Sequence, residues 1–252
     1  MKTIAALAAV SLGLAVSAQA LAQSVIVRST GPSASSYPPG KRLPAGTKIT
    51  LRSGDVVTVL DKVGTRVLRG AGSFDLDATS TRNIGGAARL ARSMNSPVAV
   101  RAGAVRGGVP NEAGPILPPS IWIADIDKGG RVCVPRGSDL YLWRGEASQR
   151  RYTWLGEAEG GAMTRILWPK NTAGVPWPRA VVSLSDGQAY RSVDDSASDN
   201  GVDFELVVLD PDKVPTDASG LGVMLLDNGC KAQFEWLAKT LEEPAAESAT
   251  AP

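Results

Sequence analysis

The side chains available for chemistry in these 252 residues are defined first by a gap: there is no histidine, and there are two cysteines, Cys133 and Cys230. Histidine has the side-chain pKa nearest neutrality and is the commonest general base and metal ligand. Its absence excludes Ser-His-Asp and Cys-His mechanisms and the usual zinc sites. Glycoside hydrolysis needs only two carboxylates at a defined separation, yet no flanking pattern singles out a pair among the 25 Asp and Glu residues. Gly-x-Ser-x-Gly and Ser-x-x-Lys motifs are absent, and Gly220-Leu221-Gly222 falls short of a nucleotide fingerprint. The oxygen-rich stretch from Asp194 to Asp203 has a composition that suits calcium. It lacks the EF-hand register, and Asn200-Gly201 is a hairpin-turn signal. It reads as a solvated turn, and the chain is expected to be non-catalytic, with no metal or other cofactor.

The cysteines take their meaning from the first residues. Met1-Lys2 is a short basic start, residues 4–16 are small and aliphatic, and Ala18-Gln19-Ala20 has a small-x-small pattern. Together these read as a signal peptide over residues 1–22, cleaved after Ala20 or Ala22. The apolar run is too short to span a bilayer, so no transmembrane segment is expected in the mature chain. The expected compartment is a bacterial periplasm, with full secretion as the alternative. There a disulfide between Cys133 and Cys230 is the default.

Two groups of residues are candidates for binding. All six tryptophans lie between Trp122 and Trp236, and Trp143, Trp154, Trp168 and Trp177 would make a glycan-stacking platform if they stood exposed side by side. Core packing is the favoured alternative, because an indole buries a large area. The second group follows from charge. Residues 23–110 hold 13 Lys+Arg against 4 Asp+Glu, a net +9, whereas residues 111–252 hold 13 against 21, a net −8. Arg42, Lys48, Arg52 and Arg66 stand in the basic half and could meet anionic envelope material; alternatively, the two halves attract each other. Nucleic acid is not an expected partner, because the compartment is wrong and the basic half has few aromatic residues for stacking bases.

The elements that must position these residues are mostly strands. Residues 46–52 alternate polar and apolar, residues 56–60 form an apolar run, and residues 65–69 alternate again, all separated by glycine turns. Over residues 79–95 the period lengthens, predicting a short basic helix near 82–95 with Ile84, Ala87, Ala88, Ala91 and Met94 on one face. A further strand is expected within 98–108. The proline-rich residues 110–120 read as a linker. Beyond it, strands are predicted near residues 121–124, 131–134, 139–143, 151–155, 164–168, 180–184, 188–191 and 202–209, a spacing that suits an immunoglobulin-like β-sandwich. Asp217 or Ser219 can cap a helix ending at Asn228-Gly229, and Phe234, Leu237, Ala238 and Leu241 share one face of a second. Residues 243–252 have no means of forming a core.

The run over residues 46–76, G-T-x-I-T-L-x-x-G-D-V-V-T-V-L-D-x-x-G-T-R-V-L-x-G-x-G-S-F, resembles the periplasmic FecR-type β domain. The resemblance implies a β-rich envelope domain suited to protein or glycan contacts, and it transfers no binding residue. The regulators of that family carry a cytoplasmic segment and a membrane helix that this sequence lacks, so it does not imply transmembrane signalling.

The expectation is therefore mainly β. A small antiparallel β domain over 23–109 precedes a sandwich over 121–210, and a helical hairpin follows over 211–242. The chain would act as a periplasmic scaffold or adaptor for an envelope protein. A cell-wall polymer is the alternative partner, and a carboxylate-dependent hydrolase is the second alternative.

Overall fold

A computed structural model describes residues 24–62, 64–76, 86–95, 120–196 and 201–242. The strand expected within 98–108, the expected linker, the 243–252 tail and the signal peptide expected over 1–22 lie outside these residues. The described chain is mainly β, with several antiparallel pairings and three α-helices.

The basic half forms one antiparallel sheet from β1 (Ser24–Thr30), β2 (Arg42–Leu43), β4 (Val56–Leu60) and β5 (Thr65–Arg69), in the order β2-β1-β4-β5. Beside it β3 (Lys48–Leu51) pairs with β6 (Gly72–Asp75). The alternation of β3 is realised as Ile49 and Leu51 buried and Lys48 and Thr50 exposed. The turn before β4 is set by Asp55, whose buried carboxylate accepts the backbone N–H groups of Ser33 (2.8 Å) and Arg52 (2.6 Å). Gly31, at φ +103°, lies against this carboxylate, where a Cβ would approach it to 2.5 Å.

In the acidic half, β10 (Arg151–Glu157), β11 (Thr164–Trp168), β13 (Ala189–Asp194), β14 (Gly201–Leu209) and β8 (Gly130–Pro135) form a five-stranded sheet in the order β11-β10-β13-β14-β8. A smaller sheet holds β12 (Gly174–Pro176), β9 (Tyr141–Trp143) and β7 (Ile123–Asp125). One apolar cluster takes side chains from both sheets, among them Val134, Leu142, Leu155, Trp168, Trp177, Tyr190 and Phe204. Two pairings, β14 with β8 and β7 with β9, are parallel. Long connections between these strands permit that geometry, which hairpins do not. Residues 180–184, expected as a strand, form a turn instead: the Pro178 carbonyl accepts the N–H groups of Val181 (3.0 Å) and Val182 (2.9 Å).

The helices join the halves. Asp217 caps α2 (Ala218–Asp227) by accepting from Gly220 N–H at 2.9 Å, and the helix gives way through Gly229, at φ +76°, to α3 (Lys231–Leu241). The buried faces of α2 and α3 meet Val25 and Leu60 of the first sheet and Cys133 and Leu209 of the second in one cluster. Side chains such as Phe234, Leu237 and Leu241 each contribute about 1.5–3 kcal/mol by leaving water there. The two expected units thus share a central layer. The basic helix α1 (Gly86–Asn95) docks on the same layer through Leu90 and Met94, while Ala88 and Ala91 are exposed. Of the expected face Met94 packs there, Ala88 and Ala91 do not, and Ile84 and the Ala87 side chain lie outside what is described; at i and i+4, Leu90 and Met94 remove far more apolar area from water than two methyl groups would.

Cys133 and Cys230 are bonded, with Cα atoms 5.8 Å apart, and the bridge ties β8 to the start of α3. Next to it lies Gln233, which is 1 % exposed. Its Oε1 accepts the Cys133 N–H (2.6 Å), and its Nε2 donates to the carbonyls of Cys133 (2.7 Å) and Ile121 (2.9 Å). The side-chain amide thereby completes the outer edge of β8 as a neighbouring strand would.

Closing a loop of 97 residues is worth about 4–5 kcal/mol in the chain-entropy model. Replacing both cysteines by serine should lower the unfolding free energy by about 2–5 kcal/mol, with amide exchange rising in α2 and α3 before β10 and β13. Gln233→Leu, which strands three buried backbone groups, should cost about 3 kcal/mol or more. Denaturant titration with hydrogen exchange checks both, and early exchange in β10 would show that the bridge does not hold the helices.

Candidate interaction face

The outer surface of the five-stranded sheet is divided. Over β8 and β14 it is covered, since Cys133 and Val207 lie in the layer shared with the helices. Over β10 and β11 it is open. Of the five large hydrophobic residues exposed among the described residues, Trp154, Met163 and Leu167 all belong to these two strands or the connection between them. Strand alternation places Thr153 and Leu155 inward, so Tyr152 and Trp154 stand on the opposite side. Register then pairs Tyr152 with Leu167 and Trp154 with Arg165.

These residues are held in place before any partner arrives. The Arg165 guanidinium lies 4.0 Å from the Tyr152 ring centroid and 6.0 Å from that of Trp154, a cation–π geometry. Asp195 accepts from Arg165 Nη2 at 2.6 Å and from the Trp154 indole N–H at 2.7 Å. Those two hydrogen bonds hold its carboxyl below the ordinary value of 3.8. Beside this cluster opens a cleft of about 360 Å³, lined in part by Glu146, Gln149, Arg150, Tyr152, Asp194 and Ser196. Its floor is fixed by ion pairs: Arg151 bridges Asp127 (2.8 Å) and Asp194. Arg144, 1 % exposed, lies over the Trp168 ring and donates to the carbonyls of Thr172 and Pro169, both at 2.9 Å. Burial lowers its pKa, but an arginine stays protonated, so its charge rests on those carbonyl dipoles and fixes the loop after β11.

The proposed tryptophan platform is corrected. Trp168 is fully buried and donates its indole N–H to Thr153 Oγ1 (2.9 Å), and Trp177 is buried and donates to the Val182 carbonyl (2.8 Å). Trp143 is buried edge-on to Trp236. Trp154 alone of the four is exposed. In each buried case the gain from removing an indole from water decides, and flanking prolines did not bring Trp168 or Trp177 to the surface.

The basic candidates do not converge either. Arg42 on β2 pairs with Asp227 of α2. Arg66 on β5 pairs with Asp61 (3.0 Å) and donates to the Leu76 carbonyl (2.9 Å). Lys48 and Arg52 are exposed along β3 and just beyond it. Arg28, also in the basic half, and Arg89 both reach Glu242, one through its carboxylate and the other through its backbone carbonyl. Part of the charge asymmetry is thus expressed as attraction between the halves. The carboxylates expected near a calcium loop are engaged by arginines, Asp194 by Arg151, Asp195 by Arg165 and Asp203 by Arg191. Asp125 is the acid whose carboxyl burial pushes up, and it accepts the Asp127 N–H at 3.1 Å to shape a tight turn.

Tyr152, Met163, Arg165 and Leu167 were not singled out as site residues from sequence, and Asp195 was read only as part of the oxygen-rich turn. A signal was present: in Arg151-Tyr152-Thr153-Trp154-Leu155 large apolar groups fall on both faces of one strand, which a sheet with one solvated face does not need.

No family model, no curated protein and no solved structure matches the chain. The geometry therefore carries the functional argument.

Because the Asp195 carboxyl is lowered in the folded protein, its ties to Trp154 and Arg165 should persist above the ordinary value of 3.8 and be lost as pH falls through the lowered one. The emission difference between wild type and Trp154→Phe should be constant from neutrality to pH 4 and change only below it. A transition near pH 6 would contradict the assignment.

Proposed function

We propose that the chain is a non-catalytic, exported protein of the cell envelope that works as a scaffold or adaptor through protein–protein contacts. In this reading the β10–β11 face is the docking surface. The observation that carries it is the composition and rigidity of that face. Tryptophan, tyrosine and arginine are the residues that dominate binding energy at interfaces. Here Trp154, Tyr152 and Arg165 are exposed or half-buried together and locked by Asp195, so little side-chain entropy remains to be lost on association. Leu167 and Met163 add apolar area around them. The leader over residues 1–22 and the Cys133–Cys230 bridge support a periplasmic location. The resemblance of residues 46–76 to a FecR-type domain supports placing the basic sheet among envelope β modules, and an immunoglobulin-like description of the acidic half belongs to the same proposal.

A second reading, binding of a cell-wall glycan, is favoured by one observation: the exposed Trp154 ring adjoins the cleft containing Glu146, Gln149 and Asp194. The stacked Arg165 occupies the Tyr152 ring, which leaves a single indole for sugar stacking and places this reading second.

A photo-cross-linking side chain installed at Met163 should capture one stoichiometric protein partner in the native envelope. The same group at Val181, 68 % exposed elsewhere, should not. Trp154→Ala should weaken that association at least tenfold while leaving thermal unfolding unchanged. Capture of cell-wall fragments at Met163 would replace the adaptor reading by the glycan one, and equal capture at both positions would remove this face from consideration.

A further inference from the structure

Among the described residues β11 pairs on one side only, with β10. Which backbone groups it presents on the other side follows from register. Asp195 N–H donates to the Tyr152 carbonyl at 3.0 Å, so the backbone groups of Tyr152 and Trp154 point to β13. Those of Arg151, Thr153 and Leu155 consequently point to β11. Their register partners Trp168, Ile166 and Thr164 turn their own N–H and C=O groups toward β10. Arg165 and Leu167 are left with theirs directed at the open edge. The strand carries none of the usual edge defences: it has no proline and no bulge, and its one charge, Arg165, is held back against Tyr152 and Asp195.

We propose that this edge is completed by β11 of a second copy of the chain, antiparallel about a two-fold axis at Ile166, to give a continuous ten-stranded sheet. Self-complementarity points to a second copy, since in one register all the edge groups of both strands pair, and charge together with Pro169 fixes that register. Pairing Arg165 with Arg165 would set like charges directly opposite, which is unfavourable. Pairing Leu167 with Leu167 would put Pro169, which has no N–H, opposite Arg165. Centring on Ile166 avoids both faults. Arg165 of each copy then faces Leu167 of the other, and the four edge groups of each strand form hydrogen bonds. Ile166 meets its counterpart on the core side. The axis is normal to the sheet, so both Trp154–Arg165 clusters remain on one face. Their two Trp154 residues stand three inter-strand steps apart across the sheet and two residues apart along it, about 16 Å in all. Two docking clusters on one rigid surface would give a partner with two epitopes an avidity gain. That consequence rests on the adaptor reading, whereas the pairing itself rests on edge geometry. The edge alone is smaller than a standard interface, so the dimer is expected to be reversible.

Sedimentation equilibrium of the mature, oxidised protein across the micromolar range should show a monomer–dimer equilibrium. Leu167→Pro removes an N–H that points outward and spares the β10 ladder; it should give a monomer with unchanged circular dichroism. Leu167→Lys sets a cation opposite Arg165 and Leu167→Glu an anion, so their dimer dissociation constants should differ by about tenfold in favour of Glu. This comparison remains decisive if the proline variant misfolds. A wild type that stays monomeric throughout, or equal behaviour of the Lys and Glu variants, would overturn the proposal. Partner capture at Met163 by a monomeric chain would leave the adaptor reading standing without it.

Discussion

The structure depends on what happens at Cys133. This residue sits on β8, the last strand of the five-stranded sheet, with neighbours Val132 and Val134 facing the apolar cluster of the acidic half and its own side chain facing the helices. A strand in that position has an unpaired edge buried under α3, where backbone polar groups cannot reach water. Gln233 meets the requirement with one side chain, taking the N–H and the carbonyl of Cys133 together. The disulfide from the same residue to Cys230 then fixes the start of the helix that carries Gln233. Covalent bond and buried amide constrain each other: the bridge places the helix, and the amide sets its rotation about the strand.

The connection between the halves follows from that placement. Once α3 is seated, α2 packs on it, the first sheet closes on α2 through the strands that carry Val25 and Leu60, and α1 closes on α3. The ion pairs Arg28–Glu242 and Arg42–Asp227 lie at the margin, with side chains substantially exposed. Such pairs contribute between nothing and about 1 kcal/mol each. They orient the two halves, while the buried apolar layer holds them together. The basic and acidic halves thus meet through one shared apolar layer, and each keeps a further apolar cluster of its own.

Periodicity made most of the strands legible, along with the capped helix starting after Asp217 and the paired cysteines. Each depends on local chemistry or simple counting: alternation across a strand, a carboxylate at a helix start, two cysteines with no others to choose from. What escaped depends on partners distant in sequence. Residues 180–184 have strand composition but turn because Pro178 and the Trp177 indole take their backbone groups. Gln233 reads as one polar position on an amphipathic helix until β8, 100 residues earlier, is laid beside it. The tryptophans were ambiguous for the same reason, since exposure depends on which sheet covers which. Trp154 and Trp168 differ only in the face of the sheet to which they belong.

The open face of β10 and β11 shows a constraint of the opposite kind. The apolar faces of the helices gather over β8 and β14, and β10 and β11 are left with one face to solvent. A solvated strand pair is normally polar, and the cheapest solution would have been lysine and threonine. Instead Trp154, Tyr152 and Leu167 occupy it, and Arg165 and Asp195 are placed to hold the rings still. None of these contacts is needed by either core, because Thr153, Leu155, Ile166 and Trp168 already supply the inward side. An exposed indole whose N–H is satisfied by a carboxylate, itself satisfied by an arginine, has its polar requirement met and its apolar face unused. That unused face is what an incoming surface can cover with little desolvation cost.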